Sequence, residues 1–255
     1  MGHYLVDKSL LSKTKEHIKQ FTIIVDSLAS SLVPPIIYDS GIKHLGFRYM
    51  QPTTKHFCVL MAVRAVSGLN ASLILAEQGF NQEMCVLIRT IVECTTKIEF
   101  VLAGLDGGIL AKKQQVFIDE FFRDFRRNSS EDFVSKTIRQ KEIHNEISQK
   151  LEEVNSANLE DKLPTELMSN IYRTFSNYVH ACYPEVMDMY GGTPLRFHMN
   201  GMKGTPKDAE SSIMLAAFVD SVGLALAQMI EKFDMADRLK VIPELKPWFP
   251  SSQEF

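Results

Sequence analysis

The chain has 255 residues, of which 45% are apolar and 23% are charged, and its formal net charge is −3. These values are typical of a soluble globular protein that can bury a substantial core. A chain with a negative net charge does not attract polyanions over its whole surface, so any nucleic-acid site must be a local basic patch.

Apolar residues recur at helical spacing along nearly the whole chain, and no run of alternating β-branched residues indicates a strand. A first helix is predicted over residues 8–33, and Pro34 and Pro35 end it. Residues 36–52 are predicted to form an irregular connection.

Two strongly apolar helices are predicted next, over residues 54–77 and 82–103. Gly79 is expected to cap the end of the first, and Asn81 the start of the second. Both helices are apolar over most of their circumference, which places them centrally in a bundle. The short connection makes them antiparallel neighbours.

A charged surface layer is predicted over residues 109–160. It contains a helix at 109–127 that ends in a basic cluster and a helix at 131–157 with a narrow apolar stripe. The stripe consists of Ile143, Ile147, Leu151 and Val154. Such a stripe suits either the surface of the bundle or the contact with a protein partner.

The C-terminal part is predicted to hold a helix at 164–183, a long loop at 184–207 and a last helix at 208–238. Residues 213–230 are almost wholly apolar and resemble a membrane span in length. Their single charge, Asp220, costs roughly 2.5–3.5 kcal/mol at the bilayer centre. A helix buried within a protein bundle is therefore favoured over a membrane helix.

These patterns predict an all-α fold: a single helical domain over residues 1–255, with core helices at 54–103, 164–183 and 208–238. No signal peptide is apparent at the N-terminus. The four cysteines, Cys58, Cys85, Cys94 and Cys182, lie in apolar segments without a Cys-x-x-Cys pair. They indicate reduced thiols in a cytoplasmic protein. The seven histidines lack ligand spacing, so neither a metal nor a cofactor is predicted.

Residues 172–183 carry the pattern that is most indicative of function. An apolar stripe is formed by Tyr172, Phe175, Val179 and Cys182, and a separate polar stripe by Arg173, Ser176, Asn177 and His180. Arg173 and His180 lie two helical turns apart, about 10 Å along the axis, and point the same way. A guanidinium that binds phosphate and an imidazole that moves a proton are thus expected to face one cleft.

This set of side chains is sufficient for RNA cleavage without a metal. The reaction needs a base for the 2′-hydroxyl proton, a cation on the pentavalent phosphate and an acid for the leaving 5′-oxygen. His180 and Arg173 supply the first two, and Ser176 and Asn177 are predicted to orient the phosphate. If two subunits bring this face together in a homodimer, one histidine acts as base and the other as acid.

The spacing resembles the Arg-x4–6-His signature of the HEPN superfamily, and it reads Arg173-Thr174-Phe175-Ser176-Asn177-Tyr178-Val179-His180 here. Members of that superfamily are all-helical, and many are ribonucleases of toxin–antitoxin and phage-defence systems. The resemblance covers this helix and the character of the bundle. It implies a ribonuclease acting as a toxin or defence effector. The superfamily usually has Asn, Asp or His after the arginine, where this chain has Thr174.

Charged residues within apolar helices are candidates for a supporting role, because a buried charge needs a partner. Arg89 and Glu93 lie one turn apart and form either an ordinary ion pair or the wall opposite His180, with Glu93 orienting the imidazole. Asp220 is expected either to pair with Arg89 or His180 or to mark a hydrated edge of the last helix.

The loop at 184–207 carries Arg196, His198 and Lys203 around an aromatic residue. It is predicted either to close on a phosphodiester backbone or a stacked base, or to be a solvated connector. Two other functions remain open for the whole chain. One is a non-enzymatic module of a defence or toxin–antitoxin complex that binds a protein through residues 131–157. The other is a sensor of a small molecule or nucleotide that uses Arg89, Glu93 and Asp220.

Overall fold

The computed structural model describes residues 8–39, 45–123, 142–143, 145–147, 163–190 and 196–248. In these residues the fold is all-α, as predicted, with two small hairpins between helices. The helices are α1 (Lys8–Ala29), α2 (Thr54–Gln78), α3 (Asn81–Ala103), α4 (Lys112–Phe122), α5 (Leu163–Val179), α6 (Tyr183–Met187), α7 (Pro206–Lys232) and α8 (Ala236–Lys240).

The core of the bundle lies between α1, α2, α3 and α7. The most extensive interface joins α2 to α3, α7 packs on both of them, and α1 packs on α2 and α7. The side chains of Phe21, Phe57, Leu69, Ile88 and Leu226 are fully buried there. α5 lies outside this group, against α3. The structure therefore adds α1 to the helices that the sequence placed in the core.

The connection between α2 and α3 shows why the two apolar helices end and begin where they do. Thr53 caps α2 through the backbone N–H of His56, and the ring of His56 accepts from the N–H of Thr53 at 3.2 Å. Gly79 ends the helix with φ 77°, a left-handed conformation. A Cβ there would lie 2.6 Å from the backbone nitrogen of Lys203, so glycine is required for a second reason.

Asn81 is the first residue of α3, and Phe80 occupies the cap position, so the prediction that Asn81 caps this helix was wrong. The side chain of Asn81 instead donates to the carbonyl of Lys207 at 2.7 Å. The side chain therefore bonds to the start of α7 and does not cap its own helix.

Two hairpins correct the expectation of a chain without strands. β1 (Ile36–Asp39) pairs antiparallel with β2 (Leu45–Arg48), and β3 (Leu105–Asp106) pairs with β4 (Ile109–Leu110). Strands of four and two residues are too short for an alternation of apolar and polar residues to be recognised.

The helix predicted over 164–183 ends earlier, at Val179. Ala181 has φ 50°, and the N–H of Cys182 donates to the carbonyl of Asn177 at 3.0 Å, which closes the helix in a Schellman motif. Tyr183 then opens the separate helix α6. The predicted loop over 184–207 therefore contains α6 and a 3-10 turn at Asp188–Tyr190.

The last predicted helix is likewise divided. α7 ends at Lys232, Asp234 has φ 51°, and α8 follows. The C-terminal segment contacts the core through Leu245, which is fully buried.

The helix predicted at 131–157 is described only at residues 142–143 and 145–147, which are helical. Ile143 and Ile147 are buried in the chain's own core. These two residues of the predicted stripe are therefore not an exposed surface for another chain. Leu151, Val154 and most of the basic cluster lie outside the described residues.

Two helices in the described part, α2 and α7, are long and apolar enough to cross a membrane by length and composition alone, with mean hydropathies of 1.8 and 1.9. Core helices of globular proteins meet the same criterion. Leu69 of α2 and Leu226 of α7 are fully buried against the rest of the bundle.

Candidate functional site

The predicted site lies on α5, where two sets of polar side chains face in different directions. We call Arg173 and His180 the outer face, because both side chains are exposed to solvent. We call Arg89, Glu93, Tyr172 and Ser176 the inner network, because their polar groups meet between α3 and α5. Arg89 and Glu93 lie on α3, and Tyr172 and Ser176 lie on α5.

In the inner network the guanidinium of Arg89 joins three side chains. It donates to Glu93 Oε1 at 2.9 Å, to Ser176 Oγ at 3.2 Å and to the hydroxyl of Tyr172. It also lies 4.3 Å from the centre of the Tyr172 ring. The side chains of Arg89 and Glu93 are only 17% and 29% exposed. The ion pair is therefore not a simple surface pair within α3, and Arg89 fastens α5 to α3 through its bonds to Ser176 and Tyr172.

On the outer face, the guanidinium of Arg173 donates to Asn170 Oδ1 at 3.0 Å. His180 follows Val179, the last residue of α5, and precedes the left-handed Ala181. Its backbone N–H donates to the carbonyl of Ser176 at 3.0 Å. Both Arg173 and His180 are exposed to solvent.

Of the four predicted catalytic residues, two form hydrogen bonds within the chain and two are exposed to solvent. Ser176 accepts its hydrogen bond from Arg89, and the amide of Asn177 donates to Glu185 Oε1 at 3.0 Å. Both side chains are half-buried. Arg173 and His180 remain open to solvent, so the chain itself divides the predicted set into tethered and accessible members.

Two of the predicted supporting contacts are not formed. In the described part of the chain no hydrogen bond or ion pair joins Glu93 to His180, because Glu93 is engaged by Arg89. Asp220 is exposed on α7 and forms no ion pair with a described residue. Its side chain therefore marks a hydrated edge, and it does not support the site.

Contacts at one end of the bundle bring α6 and the following loop towards the end of α5. Gln82, at the start of α3, donates to the carbonyl of Glu185 at 2.6 Å. Tyr178 donates to Asp188 at 3.1 Å, and Lys207 forms an ion pair with Asp188 at 3.2 Å. Burial raises the pKa of the Tyr178 hydroxyl above its ordinary value, so this group stays a hydrogen-bond donor.

The predicted substrate-binding residues of the loop have three different environments. Arg196 is exposed. His198 is half-buried, and its N–H donates to the carbonyl of Met189 at 2.8 Å. Lys203 donates to the carbonyl of Glu77 at 3.0 Å, at the end of α2, where a cation suits the helix terminus. Among the described residues, Arg196 forms no ion pair, and Lys203 is exposed beside its one hydrogen bond.

Tyr172 is the member of the inner network that sequence reasoning missed. Its position in the apolar stripe suggested a core residue, but its hydroxyl and ring both contact Arg89. The signal was present in the spacing, because Tyr172 and Ser176 are one helical turn apart and can share one partner.

The cysteines of the described residues are poorly suited to nucleophilic chemistry. All four cysteines are free, and burial raises the pKa of the Cys85 thiol to about 12. Burial also raises the pKa of Cys58 and Cys94, so these thiols are poor nucleophiles. In this part of the chain no three His, Cys, Asp or Glu side chains are grouped to hold a metal ion.

A family model described as "Family of unknown function (DUF5677)" matches residues 55–193, more than half of the chain. The matched region runs from the start of α2 past α6, and it contains both the inner network and the outer face. No curated protein and no solved structure matches the chain.

Proposed function

The chain belongs to the DUF5677 family, and we propose that the outer face of α5 makes it a metal-independent ribonuclease. One observation carries this proposal. Arg173 and His180, the pair expected from the HEPN-like spacing, are both exposed, and the backbone N–H of His180 extends the hydrogen bonding of α5 by donating to the carbonyl of Ser176. In the proposal the protein acts in the cytoplasm as a toxin or phage-defence effector, which is the role that the HEPN resemblance implies.

The proposed reaction is the attack of a 2′-hydroxyl on the adjacent phosphorus. His180 takes the hydroxyl proton, the 2′-oxygen bonds to phosphorus, and the bond to the leaving 5′-oxygen breaks. Arg173 neutralises the charge that develops on the phosphate oxygens. The products are a 2′,3′-cyclic phosphate and a free 5′-hydroxyl. An imidazole suits this role, because it changes its protonation near neutral pH.

The leaving 5′-oxygen needs a proton, and a second histidine is the simplest source. We place it on a second copy of the chain, so the proposed active form is a homodimer with two α5 helices side by side. In that arrangement one His180 is the base and the other is the acid. Each copy also contributes an Arg173 to the shared groove.

The inner network has a positioning role in this proposal. Rotating α5 by one residue, about 100°, would turn the outer face away from its present direction. Arg89 opposes that rotation because it bonds to Ser176 and Tyr172 on the inner side. Arg89 and Glu93 therefore act on the reaction through the orientation of α5 and do not contact the substrate.

The test is cleavage of a fluorescent RNA by purified protein in the presence of EDTA. The wild type is expected to cleave, and His180→Ala and Arg173→Ala are expected to lose the activity. His17→Ala and Arg64→Ala change exposed residues of α1 and α2 and serve as matched controls. Equal cleavage by the wild type, His180→Ala and Arg173→Ala would eliminate the proposal.

A non-enzymatic interaction module is the second candidate. It is favoured by the internal hydrogen bonds of Ser176 and Asn177, which use two predicted catalytic residues to hold the fold. If the protein is such a module, no variant cleaves RNA. His180→Ala then leaves the binding of a protein partner unchanged. Because Ile143 and Ile147 are buried, such a partner would need a surface other than those two residues.

A further inference from the structure

We infer that Tyr183 is a base-stacking residue next to His180 and that the RNA bound there is unpaired. This inference rests on the proposed ribonuclease function, since it concerns the substrate of the same site. It starts from an aromatic side chain that the fold leaves in water: Tyr183 is 78% exposed. A tyrosine ring usually buries much of its apolar surface.

The backbone places Tyr183 close to the outer face. The left-handed Ala181 closes α5 directly after His180, and Tyr183 opens α6 three residues beyond His180. The chain turns sharply at this point, which is secured by the hydrogen bond from Cys182 to Asn177 at 3.0 Å. The aromatic ring and the imidazole are therefore carried by a short, hydrogen-bonded turn.

A second aromatic side chain lies at the same end of the bundle. Phe197 is 45% exposed, and its ring packs edge-on against Tyr190 with centroids 5.1 Å apart. The hydrogen bond from the N–H of His198 to Met189 holds this segment beside the 3-10 turn that follows α6. Phe197 thus packs against Tyr190, and the exposed part of its ring can contact a base.

The charges around these rings suit a phosphate backbone. Arg173, His180 and Arg196 are exposed. The nearest carboxylates of this segment are engaged: Asp188 forms an ion pair with Lys207 at 3.2 Å, and Glu185 accepts from Asn177 at 3.0 Å. Exposed aromatic rings interleaved with cations are the arrangement by which proteins bind single strands.

The form of the RNA follows from the stacking geometry. The faces of paired bases are covered by their neighbours in a duplex, so a protein ring can stack only on an unpaired base. Attack by a 2′-hydroxyl also requires a backbone that can rotate into line. An exposed ring at Tyr183, three residues after His180, therefore selects an unpaired segment in this proposal.

The test measures binding without cleavage, in the His180→Ala background. Fluorescence anisotropy compares a labelled single-stranded RNA with the same sequence in a perfect duplex. The single strand is expected to bind more tightly. Adding Tyr183→Ala is expected to weaken single-strand binding about 5- to 100-fold, whereas Tyr183→Phe keeps it within about two-fold. Phe47→Ala removes an equally exposed ring, 68% exposed on β2, and is the matched control.

The outcomes separate this inference from the ribonuclease proposal. Binding that depends on Tyr183, together with a wild type that does not cleave, supports stacking and removes the nuclease. Cleavage by the wild type, with an unchanged KM in Tyr183→Ala, supports the nuclease and removes stacking. Tighter binding of the duplex, equal binding by Tyr183→Ala, or no RNA binding at all overturns the stacking inference. Circular dichroism of each variant confirms that the exposed substitution leaves the helices intact.

Discussion

The inner and outer sides of α5 carry similar residue types in very different surroundings. Arg89 of α3, which contacts the inner side, is 17% exposed and reaches three side chains. Arg173 on the outer side is exposed and bonds only to Asn170 among the described residues. The inner groups have partners within the chain and contribute to stability. The outer groups are exposed to solvent, as the proposed reactive site requires.

This contrast has a measurable form. Substitutions on the inner side are expected to lower the free energy of unfolding, and substitutions on the outer side are expected to lower activity alone. Exposed hydrogen bonds and ion pairs contribute about 0–1 kcal/mol, whereas breaking a mostly buried pair costs several times more. The expectations below test the contrast from the largest effect to the smallest.

The largest effect is expected for His180→Ala. Loss of a general base or acid lowers the cleavage rate about 100- to 10,000-fold. The free energy of unfolding should stay within about 0.5 kcal/mol of the wild type, because the side chain is exposed. Single-turnover cleavage and urea unfolding measure the two quantities. A loss of stability above about 1 kcal/mol would make His180 part of the scaffold.

Arg89→Ala is expected to cost about 2–4 kcal/mol of stability, because it leaves the mostly buried Glu93 without its cation. Arg64→Ala, an exposed arginine of α2, is the control and is expected to change stability by less than about 0.5 kcal/mol. Urea unfolding at pH 7 measures the free energy of unfolding of the two variants and the wild type. Equal values for both variants would mean that the inner network does not fasten α5.

Glu99 and Glu93 are two carboxylates of α3 that can be compared. Glu93 has an ion pair with Arg89, whereas Glu99 has none in the described chain. Burial raises the pKa of Glu99 to about 7 from its ordinary 4.5. Between pH 4.5 and about 7 the folded chain keeps a proton on Glu99 that the unfolded chain releases. The contribution of the protonated carboxyl to stability is therefore complete below pH 4.5 and is lost as the pH rises through about 7.

Glu99→Gln is therefore expected to flatten the decline in stability between pH 4.5 and about 7. At pH 8 the variant should be more stable than the wild type by up to about 3 kcal/mol. Thermal unfolding from pH 5 to 8 measures the difference. Parallel curves for the two proteins would show that the carboxyl is better hydrated than its half-buried position implies.

The smallest effects on stability are expected from Ser176 and Arg173 of α5. Ser176→Ala removes an acceptor of Arg89 and should cost about 1 kcal/mol, with a partial loss of cleavage through the position of the helix. Arg173→Ala should leave stability within about 0.5 kcal/mol while abolishing phosphate stabilisation. If Arg173→Ala were the more destabilising change, the assignment of inner and outer sides would be reversed.

Much of this architecture could be read from local sequence. Gly79, Pro34 and the apolar periodicity of α2 and α3 located helix ends to within a few residues, because caps and prolines act through the nearest backbone. The Arg173–His180 spacing likewise predicted a shared open face. What could not be read was the end of α5 before Tyr183, since an alanine in the left-handed region gives no advance signal.

By itself, the sequence determined that the described chain is mainly helical, because the apolar residues recur with a period near 3.6. The same period predicts similar directions for Arg173 and His180, which are seven residues apart. Only the tertiary structure decided which polar groups are tethered. Arg89 reaches Ser176 and Tyr172 because α5 packs on α3, and that packing depends on apolar surfaces far apart in the chain. A helical pattern specifies the direction of a side chain, but its partner depends on the neighbouring helix.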